Sequence, residues 1–320
     1  MKIFAFSRLP LFAILLFITP GLVLAQAFPN KPIRFVVGPA PDVLPRLIGQ
    51  KLSETWGQQI VIDQRPGAGG IIAAEIVAKA PPDGYTWFMS SGAMLTVAAL
   101  YSKISYNVER DFTPVTLMGT LPWILVVNPS VPAKSLTEFV QLARAQPGQI
   151  NYGNPGTGTS THLVTEMFKN MAKINIVDIP YKGVAPAVAA TLGGEVKVMF
   201  AIAQAGLPHV RSGKLRALAV TSAKRYAAAP EIPTIAESGF RDMDVVGWNG
   251  VHVPAKTPRA VIDTINRTIG EILGTRAVQE RMLAAGFETA MTSVEEFDAF
   301  VKADMKRYEK VIKESGVRVE

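Results

Sequence analysis

The stretch Ile150-Asn-Tyr-Gly-Asn-Pro-Gly-Thr-Gly-Thr-Ser-Thr-His162 puts hydroxyl and main-chain donors where a strand should hand over to a helix. A short β-prone run ends in a tract of Gly, Asn, Thr and Ser. Leu163, Met167, Phe168 and Met171 then recur at helical spacing. The first N–H groups of a helix have no partner inside it, and the aligned peptide dipoles place partial positive charge there, so a small anion could rest on this loop. Thr157, Thr159 and Ser160 add hydroxyl donors. The loop lacks the Gly-Lys-Ser/Thr ending of an ATP-binding phosphate loop, and no acidic residue follows at a ribose-binding position, so carboxylate is favoured over nucleotide. A helix cap that binds nothing is the alternative, and the loop alone does not separate the two.

The groups that would be needed for turnover are not assembled. His162, His209 and His252 are the only histidines, and each stands without a second ligand at metal spacing, which argues against a metal site. Ser160 and His162 are two apart at a helix start and so point in different directions, and the nucleophile elbow needs Gly where His162 stands. His162 reads as a helix side chain packed near a cleft. Asp and Glu fall mainly on expected helix faces and read as solvated surface, while Trp87, Trp123 and Trp248 flank strand runs and read as core. Donors without an acid, base, nucleophile, metal or cofactor motif describe a binding protein and not an enzyme.

These donors need a scaffold, and the hydrophobic pattern supplies an α/β one. Ile33 to Val37 reads as a buried strand, followed by Asp42 as N-cap of a helix carrying Leu44, Leu47, Ile48 and Leu52. Ile60 to Ile62, the Arg65-to-Gly70 glycine loop and a helix through Val77 repeat the unit, and Tyr85 to Met89 adds a strand ending at Ser90-Ser-Gly-Ala93. The middle of the chain alternates again: Ile124 to Val127, a helix from Leu136 to Arg144 capped by Ser135, then Val177 to Ile179, a helix from Ala185 to Leu192, and strands Val196 to Phe200 and Leu215 to Thr221. Trp248 to Val253 returns to the first unit, and Pro254 to Pro258 turns into two or three amphipathic helices, the last bearing Phe297, Phe300, Val301, Met305, Tyr308, Val311 and Ile312 as a core stripe. Alternation of this kind implies right-handed crossovers and a largely parallel sheet, with ligands beyond the carboxyl ends of the strands.

The chain has 320 residues, 48% hydrophobic and 18% charged, ample for a core and suggestive of two domains. Lys2 and Arg8 precede an apolar run broken by Pro20 and Gly21, and Ala25-Gln-Ala27 matches a signal-peptidase site, so residues 1–27 read as a cleaved secretory signal. Without Lys2 and Arg8 the chain keeps 31 basic and 26 acidic residues, a net charge of +5 spread along its length, which fits acidic solutes better than nucleic acid. The absence of cysteine excludes thiol catalysis, cysteine metal sites and a lipidated cysteine anchor.

Ordered blocks across the mature chain resemble the periplasmic solute-binding proteins of tripartite tricarboxylate transporters, often called the Bug family. They are Pro32-Ile-Arg-Phe-Val-Val37, Gln64-Arg-Pro-Gly-Ala-Gly-Gly70, Ala80-Pro-Pro-Asp-Gly-Tyr85, Asp111-Phe-Thr-Pro-Val115, Asn151 to Ser160 with His162-Leu163, Pro180-Tyr-Lys-Gly183, Gly213 to Ala219 and Pro254 to Pro258. The resemblance implies a two-lobed periplasmic binding protein fold (type II), each lobe a mixed, mostly parallel sheet flanked by helices. The expected limits are residues 28–123 with 248–320 for lobe 1 and 124–247 for lobe 2. It also implies a small carboxylate held in the interlobe cleft and delivered to a two-component membrane permease. A separate reading is a protein that reports its ligand to a membrane sensor kinase and has no transport role.

Carried over residue by residue, the resemblance assigns Asn154, Gly156, Thr157, Gly158, Thr159 and Ser160 to the anion loop of lobe 2. Ser91 and Gly92 face it from lobe 1, Pro39 and Asp42 border the cleft, and Tyr181 with Lys182 closes its rim. Two departures stand out. Val37-Gly-Pro-Ala-Pro-Asp42 is about four residues shorter than the family's first loop and lacks its Gly pair. Ala201 stands where the family usually places Asp, which disfavours an amino-acid ligand, because an ammonium would lose its counter-charge.

Overall fold

The computed structural model describes residues 28–38, 42–65 and 67–318. The expected signal segment and Pro39 lie outside them. The first unit runs β1 (Ile33–Val37), α1 (Val43–Trp56), β2 (Ile60–Gln64), α2 (Ile71–Ala78), β3 (Thr86–Ser91), α3 (Gly92–Leu100) and the short α4 (Val108–Asp111). A sixteen-residue strand, β4 (Phe112–Val127), leads into α5 (Leu136–Ala145), β5 (Asn151–Asn154), α6 (Ser160–Ala172), β6 (Val177–Pro180), α7 (Val184–Gly193), β7 (Val198–Ile202), α8 (Ala203–Arg211) and β8 (Arg216–Val220). Then β9 (Val246–Pro254) returns, followed by α9 (Arg259–Leu273), α10 (Arg276–Ala284), β10 (Glu288–Thr289) and α11 (Val294–Ser315).

The strands are ordered β2-β1-β3-β9-β4-β7-β5-β6, with β8 and β10 also paired to β4. The outer pairs β1 with β2 and β3, and β5 with β6 and β7, are parallel, whereas every pairing of β4 and β9 is antiparallel. The parallel pairs are those joined by crossover helices, as the alternation requires. The first half of β4 pairs with β9 and β10, and its second half, from Trp123, with β7 and β8, so one strand belongs to both lobes. Only Ile124 to Val127 is legible as strand in the sequence, because Pro114, Gly119 and Pro122 argue against a continuous one. The structure absorbs them in two register shifts, at Pro114/Thr116 and Leu117/Gly119, and at the Pro122 crossing between the two sets of strands.

Each lobe buries two apolar layers, one on each face of its strands. In lobe 1, Ile33, Phe35 and Val37 pack toward α1 and α9, while Val36 and Phe88 face α2, α3 and α11. In lobe 2, Leu125, Val127 and Phe200 pack toward α5 and α6, and Ile124, Val126 and Met199 toward α7 and α8. Leu163 of α6 is fully buried in the lobe 1 layer with Phe297 and Tyr308 of α11, so the start of α6 is clamped against the opposite lobe. The α11 stripe is closed at its start by a capping box, Ser293 with Glu296.

Candidate functional site

The glycine-rich loop joins β5 to α6, and much of its hydrogen bonding is internal. Asn154 is fully buried; its Oδ1 accepts from the Gly156 amide at 2.6 Å and its Nδ2 donates to Asp178. The Thr159 hydroxyl accepts from His162 N at 3.3 Å, capping α6, and donates to Gly156 O at 2.8 Å, which also accepts the Thr159 amide. The Gly158 amide donates to His162 Nδ1 at 3.1 Å. The resemblance assigns Asn154, Gly156, Gly158 and Thr159 to the anion loop, and His162 reads as a packed helix side chain. In the structure Asn154, Gly156, Gly158 and Thr159 shape the loop, because the tight turn brings their donors and acceptors within reach of one another. Within this loop and the first turn of α6, the amides of Thr157, Ser160 and Thr161 are left without a protein acceptor. Thr157 is exposed and Ser160 half-buried, so these two also present their hydroxyls.

Beneath the loop lies a polar network. Tyr152 Oη donates to Glu166 Oε1 at 2.7 Å, and Lys169 Nζ lies 2.6 Å from the same oxygen. The ring of His162 stacks on that of Tyr152, with Nε2 3.5 Å from Asp178 Oδ2 and 3.9 Å from Glu166 Oε1. Since Nδ1 accepts from Gly158, the neutral ring carries its proton on Nε2, facing the two carboxylates. Burial lowers the pKa of His162, opposed by the Asp178 and Glu166 charges; burial followed by the Glu166 hydrogen bond raises that of Tyr152. Glu166 departs from the expected solvated helix face: it is buried, and its carboxylate is held by Lys169 and the Tyr152 hydroxyl. The signal was present, since His162, Glu166 and Lys169 fall on one face of a helix at spacings of four and three.

Lobe 1 meets this loop with the start of α3. Ser91 is the N-cap of α3, and its side chain makes no capping bond. Gly92 is buried, and a Cβ placed on it would come within 2.9 Å of Tyr308 Oη and 3.5 Å of Ser160 Oγ. The first turns of α3 and α6, from opposite lobes, therefore abut with their unpaired amides and positive dipole ends close together. Tyr308 Oη is fully buried there, beside Ser160 Oγ. This is chemistry for negative charge: donors from two helix starts and no carboxylate bonded to them.

The family model described as the tripartite tricarboxylate transporter family receptor, TctC, matches residues 44–317. The chain belongs to that family. Protein BugT of Bordetella pertussis is 35% identical over 303 residues, covering 93% of each chain. Among solved structures, the R. palustris protein Rpa4515 with adipate aligns with a TM-score of 0.80 at 35% identity, covering 91% of this chain and 99% of that one. MatC of Rhodopseudomonas palustris with bound malate aligns at 0.75 and 28% identity, over 89% and 100% of the two chains. TctC receptors are periplasmic solute-binding proteins, and the two-lobed α/β fold is theirs.

In this TctC receptor the remaining site residues take varied roles. Asp42 precedes α1 but does not cap it with its side chain; its Oδ2 accepts from Arg46 at 2.6 Å. The reason is local: Pro45, at the third helical position, offers no N–H, and the guanidinium one turn on is the stronger donor. Tyr181 Oη donates to Glu195 at 2.8 Å, away from the loop, while its main chain holds the loop in place by donating to Asn154 O. Lys182 is exposed, with no ion pair among the described residues. Ala201 is fully buried among Ile124, Leu207 and Val220, and its Cβ lies 2.9 Å from where a Cβ on Gly206 of α8 would stand. No group of three or more His, Cys, Asp or Glu with metal-binding geometry occurs among the described residues.

Proposed function

We propose that this TctC receptor captures a small carboxylate in the interlobe cleft and hands it to a two-component membrane permease. The observation that carries the reading is the apposition of the α3 and α6 helix starts across the lobe boundary, with the Ser160 and Thr161 amides unpaired. Ser91, Gly92, Thr157 and Ser160 bind the carboxylate; Asn154, Gly156, Gly158 and Thr159 hold the loop; Lys182 reaches the outer end of the ligand. Each charge-assisted bond to the carboxylate contributes roughly 1.5 to 3 kcal/mol. Contacts from both lobes exist only when the lobes are together, so the ligand favours the closed form. The lobes are residues 28–123 with 248–320, and 124–247. Residues 1–27 act as a cleaved export signal, which places the mature chain in the periplasm with its relatives.

The adipate and malate bound by relatives make dicarboxylates the first ligands to test. Calorimetry of the mature protein against aliphatic di- and tricarboxylates should yield one saturable ligand, with affinity reduced about tenfold or more in Ser160→Ala. If no carboxylate binds or raises the melting temperature, the reading fails. Loss of uptake of that ligand on deletion of the gene checks delivery to the permease.

A further inference from the structure

Strand β9 enters lobe 1 through Trp248 and Asn249, and Asn249 stands directly opposite Ser91 of β3 on one side and Gly119 of β4 on the other. Residues directly opposite on antiparallel strands turn their side chains to the same face, with Cβ atoms about 5 Å apart. Gly119 has no side chain, and the same-face neighbours two residues along are Gly247 and Val251 on β9 and Met89 on β3. Ser91 is therefore the polar neighbour that these strands give Asn249. Asn249 is only 7% exposed, yet neither its amide nor the Ser91 hydroxyl is hydrogen-bonded to the protein. Neither group is among the unpaired side-chain atoms sealed from solvent, so both remain within reach of a ligand. Comparable residues are engaged: Ser90, on the opposite face, is tied to Gly250 O and His252 Nδ1, and Asn128, Asn154 and Asn266 each donate from Nδ2 to protein acceptors. Buried side-chain amides are as a rule bonded, so the open Asn249 amide points to a partner from outside the chain.

That partner is electrically neutral. No Asp, Glu, Lys or Arg occurs on β3, β4 or β9, so the surface around Asn249 offers dipoles and no charge. The amide donates from Nδ2 and accepts at Oδ1. A carboxylate can only accept and would set its charge against Oδ1, and an ammonium can only donate. An alcohol hydroxyl does both, as water does, whereas a methylene in its place displaces water and returns no bond. Ser91 directly precedes Gly92, the first residue of α3 at the lobe boundary, where the carboxylate is placed. A side chain about 5 Å across from Ser91 then meets the ligand carbon next to that carboxylate. We infer that Asn249 is the specificity-determining residue of the cleft, reading a hydroxyl on the carbon beside the bound carboxylate and so favouring 2-hydroxycarboxylates over their unsubstituted counterparts. The inference rests on the cleft being the carboxylate site and adds the group that reads the ligand's second function.

The probes are acids that differ by one hydroxyl, L-malate with succinate and citrate with tricarballylate, titrated calorimetrically into the mature protein. The hydroxy member of at least one pair should bind about tenfold or more tightly than its counterpart. In Asn249→Leu, similar in size but without polar atoms, that ratio should fall to within about twofold while the unsubstituted acid keeps its wild-type affinity. A residue that merely supports the fold would weaken both members in parallel and leave the ratio intact. Asn249→Ser retains a hydroxyl and should keep part of the preference; if Asn249→Leu does not fold, the lowered ratio in Asn249→Ser carries the test. Equal binding of both members by wild type, or a preference that survives in these variants, overturns the role of Asn249 and leaves the cleft reading standing. Failure of all four acids to bind also overturns it, and the cleft reading is then decided by the wider carboxylate panel.

Discussion

His162 Nδ1 accepts a hydrogen bond from the Gly158 amide at 3.1 Å, so the side chain of the first helical turn sets the shape of the loop that precedes it. Both residues are buried, and the bond keeps the Gly158 N–H inside lobe 2 while the amides of Thr157, Ser160 and Thr161 stay unpaired.

Replacing His162 with Leu should therefore cost about 1–3 kcal/mol of stability, because a buried donor loses its acceptor. Ligand affinity should fall with it as the loop relaxes. His162→Asn, whose Oδ1 can stand near the Nδ1 position, should recover part of both losses. Urea unfolding and calorimetry on the two variants check this, and equal behaviour of Leu and Asn would show that packing, not the hydrogen bond, is what matters.

The close approach at Gly92 predicts a coupled pair. Gly92→Ala should destabilise by about 1–3 kcal/mol, since its Cβ would stand 2.9 Å from Tyr308 Oη. Tyr308→Phe removes the hydroxyl that a Gly92 Cβ would meet and should cost little by itself, yet it should relieve much of the Gly92→Ala cost. A double-mutant cycle in urea would read the coupling directly; simple additivity would place the strain elsewhere.

Acid should weaken the fold before most carboxylates titrate. His252 is buried, its Nδ1 2.6 Å from Ser90 Oγ, and burial lowers its pKa to about 3; His162 is lowered as well. The unfolded chain takes up these protons near pH 6.5 and the folded chain only at lower pH. For His252, stability is then complete above about 6.5 and falls as pH drops toward 3, by on the order of 1 kcal/mol per unit, and His162 adds a loss of the same sign. Asp304, whose pKa burial raises, acts in the opposite sense at the acid end. Melting curves from pH 7 to 4 should show a steeper loss in wild type than in His252→Gln.

Placing Asp at position 201 should be costly here. Ala201 is fully buried in an apolar layer with Ile124, Leu207 and Val220 and packs closely against Gly206, so Ala201→Asp should lose several kcal/mol of stability. A variant that stays as stable as wild type would show that α8 can move aside.

Much of this architecture was legible in the residues. The Ser135 cap of α5, the glycine loop leading into α6 and the apolar stripe of α11 are local patterns, set by hydrogen bonds and side-chain spacing within a few residues. The strand β4 was legible only at its end, because its prolines are tolerated by distant partners in β9, β7 and β8. The donors of the loop were identifiable by type, whereas which of them remain unpaired was not.

The sequence by itself determined that this chain alternates strands and helices, carries a hydroxyl-rich helix start and lacks cysteine, since composition and periodicity carry that information. Only the tertiary structure decided that Gly92 of lobe 1 meets Ser160 of lobe 2 and that Glu166 is held inside with Lys169 and Tyr152. These are contacts between segments far apart in the chain or choices among competing hydrogen-bond partners. They depend on which groups close packing brings within about 3 Å of one another, a distance that no pattern in the sequence encodes.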